Sequence, residues 1–341
     1  MYEYGIRKRG HMIDLRGRNF LKIEDFSYDE LRYLLDLAKD FKIKRKNRED
    51  HSYLKGRTIA LIFEKTSTRT RCSFEVAAYD LGMNTTYLNS SASQLGNKES
   101  VEDTAKVLGR IYDGIEFRGF KQESVNILAK YSGVPVWNGL TDYCHPTQVL
   151  ADFLTMEEHF GKLKGLNLVY LGDARNNISN SLMIMSAKMG VNFTSCAPKE
   201  LWTSNNVVKK AKEFAKSTES IIKQTENQEE ALKGADAIYT DVWVSMGEPE
   251  KLWAKRIKLL KDYQVTMDKI KKANKDVIFL HALPSFHDLK TSIGMDIYKK
   301  YGLEAMEVTD EVFTSKYSKV FDESENRMHT IKAVIYATMK D

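Results

Sequence analysis

Short apolar, β-prone runs alternate with segments of helical periodicity along most of this chain, and that alternation constrains its fold more than any other feature. The first series is "RTIALIF" (57–63), "NTTYLN" (84–89), "GIEFR" (114–118) and "VPVWN" (134–138), with helical segments between them that include 99–112 and 123–131. A second series follows: "LNLVYLG" (166–172), "VNFTSC" (191–196), "ADAIYTDVW" (235–243) and "DVIFLHALP" (276–284), separated by segments such as 206–216. Runs like "TIALIF" fit strands buried on both faces, as parallel sheets require. Strands alternating with helices predict βαβ units, and two such series predict an α/β protein of two doubly wound parallel-sheet domains joined by interdomain helices. The helix that begins near His145 is the expected link. A length of 341 residues suits two domains of ordinary size.

Both ends of this pattern carry helices. Ser27-x-x-Glu30 forms a capping box ahead of Leu31, Leu34, Leu35, Ala38 and Phe41 at helical spacing. The last amphipathic segment, "ENRMHTIKAVIYATM", sets Met328, Ile331, Val334, Ile335 and Met339 on one stripe, which must pack on the body of the protein.

Composition excludes several function classes. With 42% hydrophobic and 29% charged residues the chain lies far from the signature of disorder. Its net charge of +5, from 52 Lys and Arg against 47 Asp and Glu, is too small and too dispersed to imply nucleic acid, though it suits anionic small substrates. Only Cys72, Cys144 and Cys196 are present, without CxxC spacing, so neither a disulfide framework nor a zinc site is expected, and a reducing compartment is. No stretch is long and apolar enough to span a bilayer, and the first twelve residues lack the apolar core of a signal peptide, so no membrane partner and a cytoplasmic location are expected. Met12 is an alternative natural start.

In open parallel sheets ligands bind outside the carboxyl ends of the strands. That rule selects "EKTSTRTR", "FRG", "NGLTDYCHPTQ", "GDARNN", "DVWVSMG" and "HALPSFHD". The first packs three hydroxyls and two arginines into residues 67–71. It reads either as an over-capped, solvated helix start or as an anion site, in which unpaired helix N–H groups and the forks of Arg69 and Arg71 would hold phosphate. Taken singly the others have plain readings: Arg118 as a surface residue after a strand, His145 as a cap before Pro146, Asn176-Asn177 as a turn, Met246 as packing. A dinucleotide site is disfavoured, since "GDARNN" holds one glycine where three are needed, and no P-loop motif occurs. The recurrence of such residues at strand ends in both halves argues for a site.

In order and spacing these motifs resemble the aspartate/ornithine carbamoyltransferase superfamily across essentially the whole chain. "STRTR" and "HPTQ" are similar to its carbamoyl phosphate signatures, and "DVWVSMG", of the form D-x-x-x-S-M-G, to its ornithine-specific one. The resemblance implies a carbamoyl phosphate domain at 1–150 completed by the C-terminal helix 322–341, and an ornithine domain at 151–321. It implies transfer of a carbamoyl group from carbamoyl phosphate to L-ornithine, giving L-citrulline and phosphate or the reverse. It also implies a homo-oligomer built on trimers, with neither metal nor organic cofactor. By the same resemblance Ser67, Thr68, Arg69 and Thr70 hold the phosphate, and Arg118, His145 and Arg327 gather around phosphate and carbamoyl oxygen. Gln148 meets the carbamoyl amide, Gln94 reaches carbamoyl phosphate from a neighbouring subunit, and the backbone carbonyls of Ala282 and Leu283 accept from the carbamoyl amide. Asn177, Asp241, Ser245 and Met246 receive ornithine, with Asp241 on the α-amino group.

One position departs from the family pattern: His281-Ala282-Leu283-Pro284 stands where His-Cys-Leu-Pro is usual, so the backbone carbonyls survive but the thiol does not. Three alternatives stay open at this level. They are an aspartate acceptor, which the D-x-x-x-S-M-G signature disfavours, a putrescine or acetylornithine acceptor, and a catalytically weak carbamoyl phosphate-binding protein.

Overall fold

The computed structural model describes residues 13–89, 98–244, 248 and 251–339. Two compact units result: Met1–Leu154 with Glu325–Asp341, and Thr155–Ser324.

The first unit holds four parallel strands, β1 (Thr58–Phe63), β2 (Asn84–Asn89), β3 (Gly114–Arg118) and β4 (Val136–Leu140), in the order β2-β1-β3-β4. Helices α1 (Tyr28–Lys46), α2 (Thr68–Asp80), α3 (Val101–Ile111) and α4 (Gln122–Tyr131) lie between or ahead of them. The capping box at Ser27 is formed in both directions: its Oγ accepts from Glu30 N at 3.2 Å, and the Glu30 carboxylate accepts from Ser27 N at 2.7 Å. The five apolar residues that follow are all buried. Ala60, Ile62, Ile115, Phe117 and Val136 of the sheet close over Ala105 of α3 and Val125 and Leu128 of α4.

The second unit holds five parallel strands, β5 (Asn167–Leu171), β6 (Asn192–Cys196), β7 (Ile222–Thr225), β8 (Ala237–Thr240) and β9 (Ile278–His281), in the order β7-β6-β5-β8-β9. After α5 (Pro146–Phe160) its helices are α6 (Asn177–Met189), α7 (Asn205–Thr218), α8 (Gln228–Leu232), α9 (Leu252–Leu260), α10 (Met267–Lys272), α11 (Ser292–Tyr301) and α12 (Asp310–Phe313). β7 is absent from the sequence reading. It is an edge strand, "IKQT", in which only Ile222 is buried, so three of its four residues carry no apolar signal. Conversely, the run "ADAIYTDVW" leaves the sheet at Thr240, whose Oγ1 donates to Leu171 O at 2.6 Å, so Asp241 stands just beyond the strand.

Each sheet has one switch point, where the chain turns from building outward on one side to the other: between β1 and β3, and between β5 and β8. There the carboxyl ends of neighbouring strands diverge into a crevice. "STRTR" follows β1 and Arg118 ends β3. "GDARNN" follows β5 and Asp241 follows β8.

The terminal helix α13 (Val320–Met339) starts earlier than its apolar stripe suggests, with Val320 buried. From Glu325 on it belongs to the first unit. Thr338 Oγ1 accepts from Trp137 Nε1 at 3.0 Å, Asn326 Oδ1 accepts from Lys42 Nζ at 2.8 Å, and the buried Lys332 pairs with Asp80 while approaching His51 Nε2 at 3.0 Å. Burial lowers the Lys332 ammonium and Asp80 opposes that shift. Removing one partner of such a pair leaves a charge in a dry place. Asp80→Asn is therefore expected to reduce the unfolding free energy of the first unit by about 3 kcal/mol, read from chemical denaturation followed at Trp137.

Candidate active site

Ser67 is the N-cap of α2, its Oγ accepting from Thr70 N at 3.2 Å, so the first turn of this helix presents its N–H groups beyond β1. Thr70 is fully buried, and its Oγ1 accepts from two guanidiniums: Arg118 Nη1 at 3.3 Å and Arg327 Nη2 at 2.8 Å. Arg69 and His145 complete the group. Burial pulls the Arg118 guanidinium down to about 10, against the pull of Glu116 and with the repulsion of Arg69. His145, almost entirely buried, is pushed well below the usual imidazole range by burial and then by Arg327, Arg118 and Arg69, so it is neutral at pH 7. Gln148 lies one turn along α5 and donates from Nε2 to Asp152 Oδ1 at 2.8 Å, both residues buried. The result is a cluster of three fixed cations and one neutral donor at a helix N-terminus. Such a place suits a phosphate.

Arg71 does not join them. Its Nε donates to Glu75 at 2.8 Å and its guanidinium lies 3.9 Å over the Tyr87 ring. A residue two positions from Arg69 on a helix points about 200° away, so only one of the two arginines in "STRTR" can face the cluster.

In the second unit Asn176 caps α6, accepting from Ser179 N at 2.8 Å. Its Nδ2 donates to Tyr170 Oη at 2.7 Å and to Asp241 Oδ2 at 3.3 Å. The Tyr170 hydroxyl donates in turn to Asp173 O at 3.2 Å, and burial, then Asp241 and Asp173, raise it well above its usual range. Asn177, the residue singled out from sequence, is the first helical residue and its carbonyl accepts from Ser181 Oγ. Asn176 holds the Asp241 carboxylate, a role hidden in sequence because either member of the Asn-Asn pair fits a helix cap. Asp173 takes both Arg175, at 2.9 Å, and the buried Arg256, which reaches Glu248 at 3.1 Å. Ser245, Met246 and Gln94 lie outside the described residues.

The turn after β9 is held from three sides. Leu283 N donates to His281 Nδ1 at 2.9 Å, which places the imidazole proton on Nε2, facing Glu307 Oε1 at 3.2 Å. Glu307 also accepts from Ser285 Oγ at 3.0 Å and Phe286 N at 2.7 Å, while His281 N donates to Glu323 Oε2 at 3.0 Å. Leu283 sits at φ +49°, and its peptide bond to Pro284 is cis. The Ala282 and Leu283 carbonyls thus belong to a braced turn. Neither Glu307 nor Glu323 is legible as part of it from sequence, lying 24 and 40 residues beyond Leu283.

Among the described residues, His287, Asp288 and Asp310 lie close enough to share a cation. They are internally paired: His287 sits 2.7 Å from Asp310, and Lys290 sits 2.9 Å from Asp288.

Comparison with known proteins agrees with this geometry. Residues 18–158 match the family model "Aspartate/ornithine carbamoyltransferase, carbamoyl-P binding domain", and residues 164–338 match "Aspartate/ornithine carbamoyltransferase, Asp/Orn binding domain". The chain is 64% identical to a catabolic ornithine carbamoyltransferase of Treponema denticola, covering 96% of each chain, and 58% identical to that of Bacillus licheniformis, covering 96% of this chain and 98% of the relative. The solved ornithine carbamoyltransferase of Pyrococcus furiosus superposes with a TM-score of 0.88 at 40% identity, covering 96% of this chain and 99% of that one. The chain belongs to the aspartate/ornithine carbamoyltransferase family.

Burial works to raise the Glu307 carboxyl, yet its hydrogen bonds with the His281 imidazole and the Phe286 N–H hold it below the usual carboxylate range. A depressed carboxyl stabilises the fold above its unfolded value and loses that contribution as pH falls. Glu307→Gln should lower the unfolding free energy by about 1–3 kcal/mol at neutral pH. The gap from wild type should close below about pH 4 in denaturation curves taken across the acid range.

Proposed function

We propose that the chain is an ornithine carbamoyltransferase, moving the carbamoyl group of carbamoyl phosphate to the δ-amine of L-ornithine to give L-citrulline and phosphate, or running the reverse. The observation that carries this reading is the meeting of Arg118 and Arg327 on Thr70 at the start of α2, with Arg69 and the neutral His145 beside them. The D-x-x-x-S-M-G segment and the names of the relatives support ornithine as acceptor. The fold units divide the labour: carbamoyl phosphate in the first, ornithine in the second.

In this reading Ser67, Thr68, Arg69 and Thr70 hold the phosphate through backbone N–H, hydroxyl and guanidinium donors. Arg118, Arg327 and His145 address the bridging and carbamoyl oxygens, where charge develops as the tetrahedral intermediate forms. Because His145 is neutral it serves as a hydrogen-bonding group with one N–H rather than as an acid. Gln148 and the carbonyls of Ala282 and Leu283 orient the carbamoyl amide. Carbamoyl phosphate already carries a good leaving group, so alignment and charge stabilisation supply most of what the reaction needs.

The nucleophile is the harder part. An amine resembling that of Lys has a solution pKa near 10.4, so holding it neutral at pH 7 costs on the order of 4–5 kcal/mol. A carboxylate next to it would raise that figure. Asp241, aimed by Asn176, therefore serves the α-amino group, and the δ-nitrogen lies away from its charge. Attack forms the new C–N bond, and collapse breaks the C–O bond to phosphate while the nitrogen loses a proton. Ser245 and Met246 complete the ornithine site. The working protein is a homotrimer or an assembly of trimers in which Gln94 reaches a neighbouring subunit's carbamoyl phosphate, acting in arginine metabolism in the cytoplasm.

Citrulline formation measured against a panel of ornithine, putrescine, acetylornithine, aspartate and no amine tests the reading. Turnover with ornithine alone is expected, and turnover with another amine but not ornithine overturns it. Arg69→Ala should abolish carbamoyl phosphate binding while leaving the melting temperature within a few degrees of wild type. Asn176→Ala should raise KM for ornithine about tenfold, with carbamoyl phosphate Kd unchanged, as expected for loss of one hydrogen bond to a carboxylate. Ala282→Cys should change the pH profile of kcat/KM for ornithine, since a second titratable group joins the site, and leave carbamoyl phosphate Kd within about twofold.

A further inference from the structure

Glu116 occupies the middle of β3, two residues before Arg118 and on the same face of the strand. It is completely buried, and among the described residues neither carboxyl oxygen has a hydrogen-bond partner. Buried carboxyls are ordinarily paired, so this one needs an explanation.

The surrounding backbone is shaped to admit it. β3 and β4 pair Phe117 with Asn138 and Arg118 with Leu140, which leaves Gly139 as the extra residue of a bulge. A Cβ on Gly139 would lie 2.0 Å from Glu116 Oε1 and 3.2 Å from Thr70 Cγ2. The carboxyl and the methyl of Thr70 therefore share the space above one glycine, and Thr70 is the residue on which Arg118 and Arg327 converge. Those guanidiniums donate to the threonine hydroxyl and not to the carboxyl.

The charged groups facing Glu116 are Arg118 on its own strand and Arg327 from α13. Burial drives its carboxyl well above the usual range, and these two arginines oppose that shift. Arg69 of α2 and His145 ahead of α5 complete the cluster around those arginines. Its neighbours in register on the adjoining strands, Leu61 and Trp137, are apolar. A proton on Glu116 leaves the arginines their full attraction for an anion, whereas a bare carboxylate beneath them competes with the anion for the same charges. An arriving phosphate in turn favours the protonated form.

We infer that Glu116 is a positioning residue that sets the charge of the phosphate cradle: it holds a proton, drawn from solvent, while phosphate is bound, and yields that proton as phosphate departs. The inference rests on the reading of the cluster as the carbamoyl phosphate site. By linkage, phosphate affinity is highest where Glu116 is protonated and falls as pH rises through its value in the free site.

The test is calorimetric titration of inorganic phosphate into wild type and Glu116→Gln from about pH 6 to about pH 8, a range that stays below the value of about 10 to which burial pulls Arg118. Gln keeps the shape and cannot titrate. The ligand's own ionisation and that of His145 are common to both proteins and cancel in the ratio of the two Kd values. The ratio of wild-type to variant Kd is expected near one at the acid end and at least about threefold higher at the alkaline end. A ratio that stays flat overturns the inference. Should Glu116→Gln fail to fold, wild type decides alone: titration in two buffers of different protonation heat, corrected for the proton carried by phosphate, must show net proton uptake, and its absence overturns the inference equally. If wild type binds no phosphate at any pH, the cradle reading itself fails.

Discussion

The hydroxyl of Thr70 accepts from Arg118 and Arg327 at once, and the chemistry of the first unit depends on that junction. It joins the start of α2, the end of β3 and the middle of α13, segments separated by 48 and 257 residues along the chain. Guanidiniums brought together repel one another by a few kcal/mol at the effective dielectric of a protein. Something else must hold them. The packing of α13 does so, through Thr338 on Trp137, Asn326 on Lys42 and Lys332 on Asp80. The cations are then in place before any anion arrives, and the reorganisation that would otherwise accompany charge development is already complete.

The second unit solves the complementary problem with carboxylates. Asp241 is aimed by Asn176, and Asn176 is aimed by the Tyr170 hydroxyl and by its own duty as the cap of α6. The turn at Ala282 is braced through one imidazole whose two nitrogens have opposite tasks, Nδ1 accepting from Leu283 and Nε2 facing Glu307. In both units the groups proposed to touch substrate are few, and several are held by a neighbour: Asp241 by Asn176, Gln148 by Asp152, and Arg118 and Arg327 by Thr70, itself proposed to touch phosphate. Strong perturbations of ordinary chemistry lie in both sets, in His145 and Arg118 as in Tyr170 and Glu116.

Much of this was legible along the chain. Eight of the nine strands among the described residues lie in β-prone runs of the sequence, most of them apolar as a strand covered on both faces must be, with the polar edge strand β2 the exception. β7 carries no such run, because it is four residues long and only Ile222 is both apolar and buried. "STRTR" was legible as an anion site at a helix start. Helical rotation decides which of its arginines faces the Thr70 cluster, carrying Arg71 away to Glu75 and Tyr87. Asp241 was legible from its motif, whereas the hydrogen bond it accepts from Asn176 was not.

Sequence by itself determined the alternation of strand and helix, the two-sheet class, the strand ends at which chemistry belongs, and the motifs that mark them, since each of these depends on residues within a few positions of one another. Only the tertiary structure decided the partnerships: Arg327 returning to Thr70, Glu307 reaching His281, and Glu116 seated over Gly139 without a hydrogen bond. A glutamate in "GIEFR" looks like any polar residue in a strand. Its burial beneath two arginines exists because a bulge on the neighbouring strand sets a glycine opposite it and a helix some two hundred residues later delivers the second guanidinium. Local pattern carries no record of such meetings, because the free energy that brings them about belongs to the packed whole.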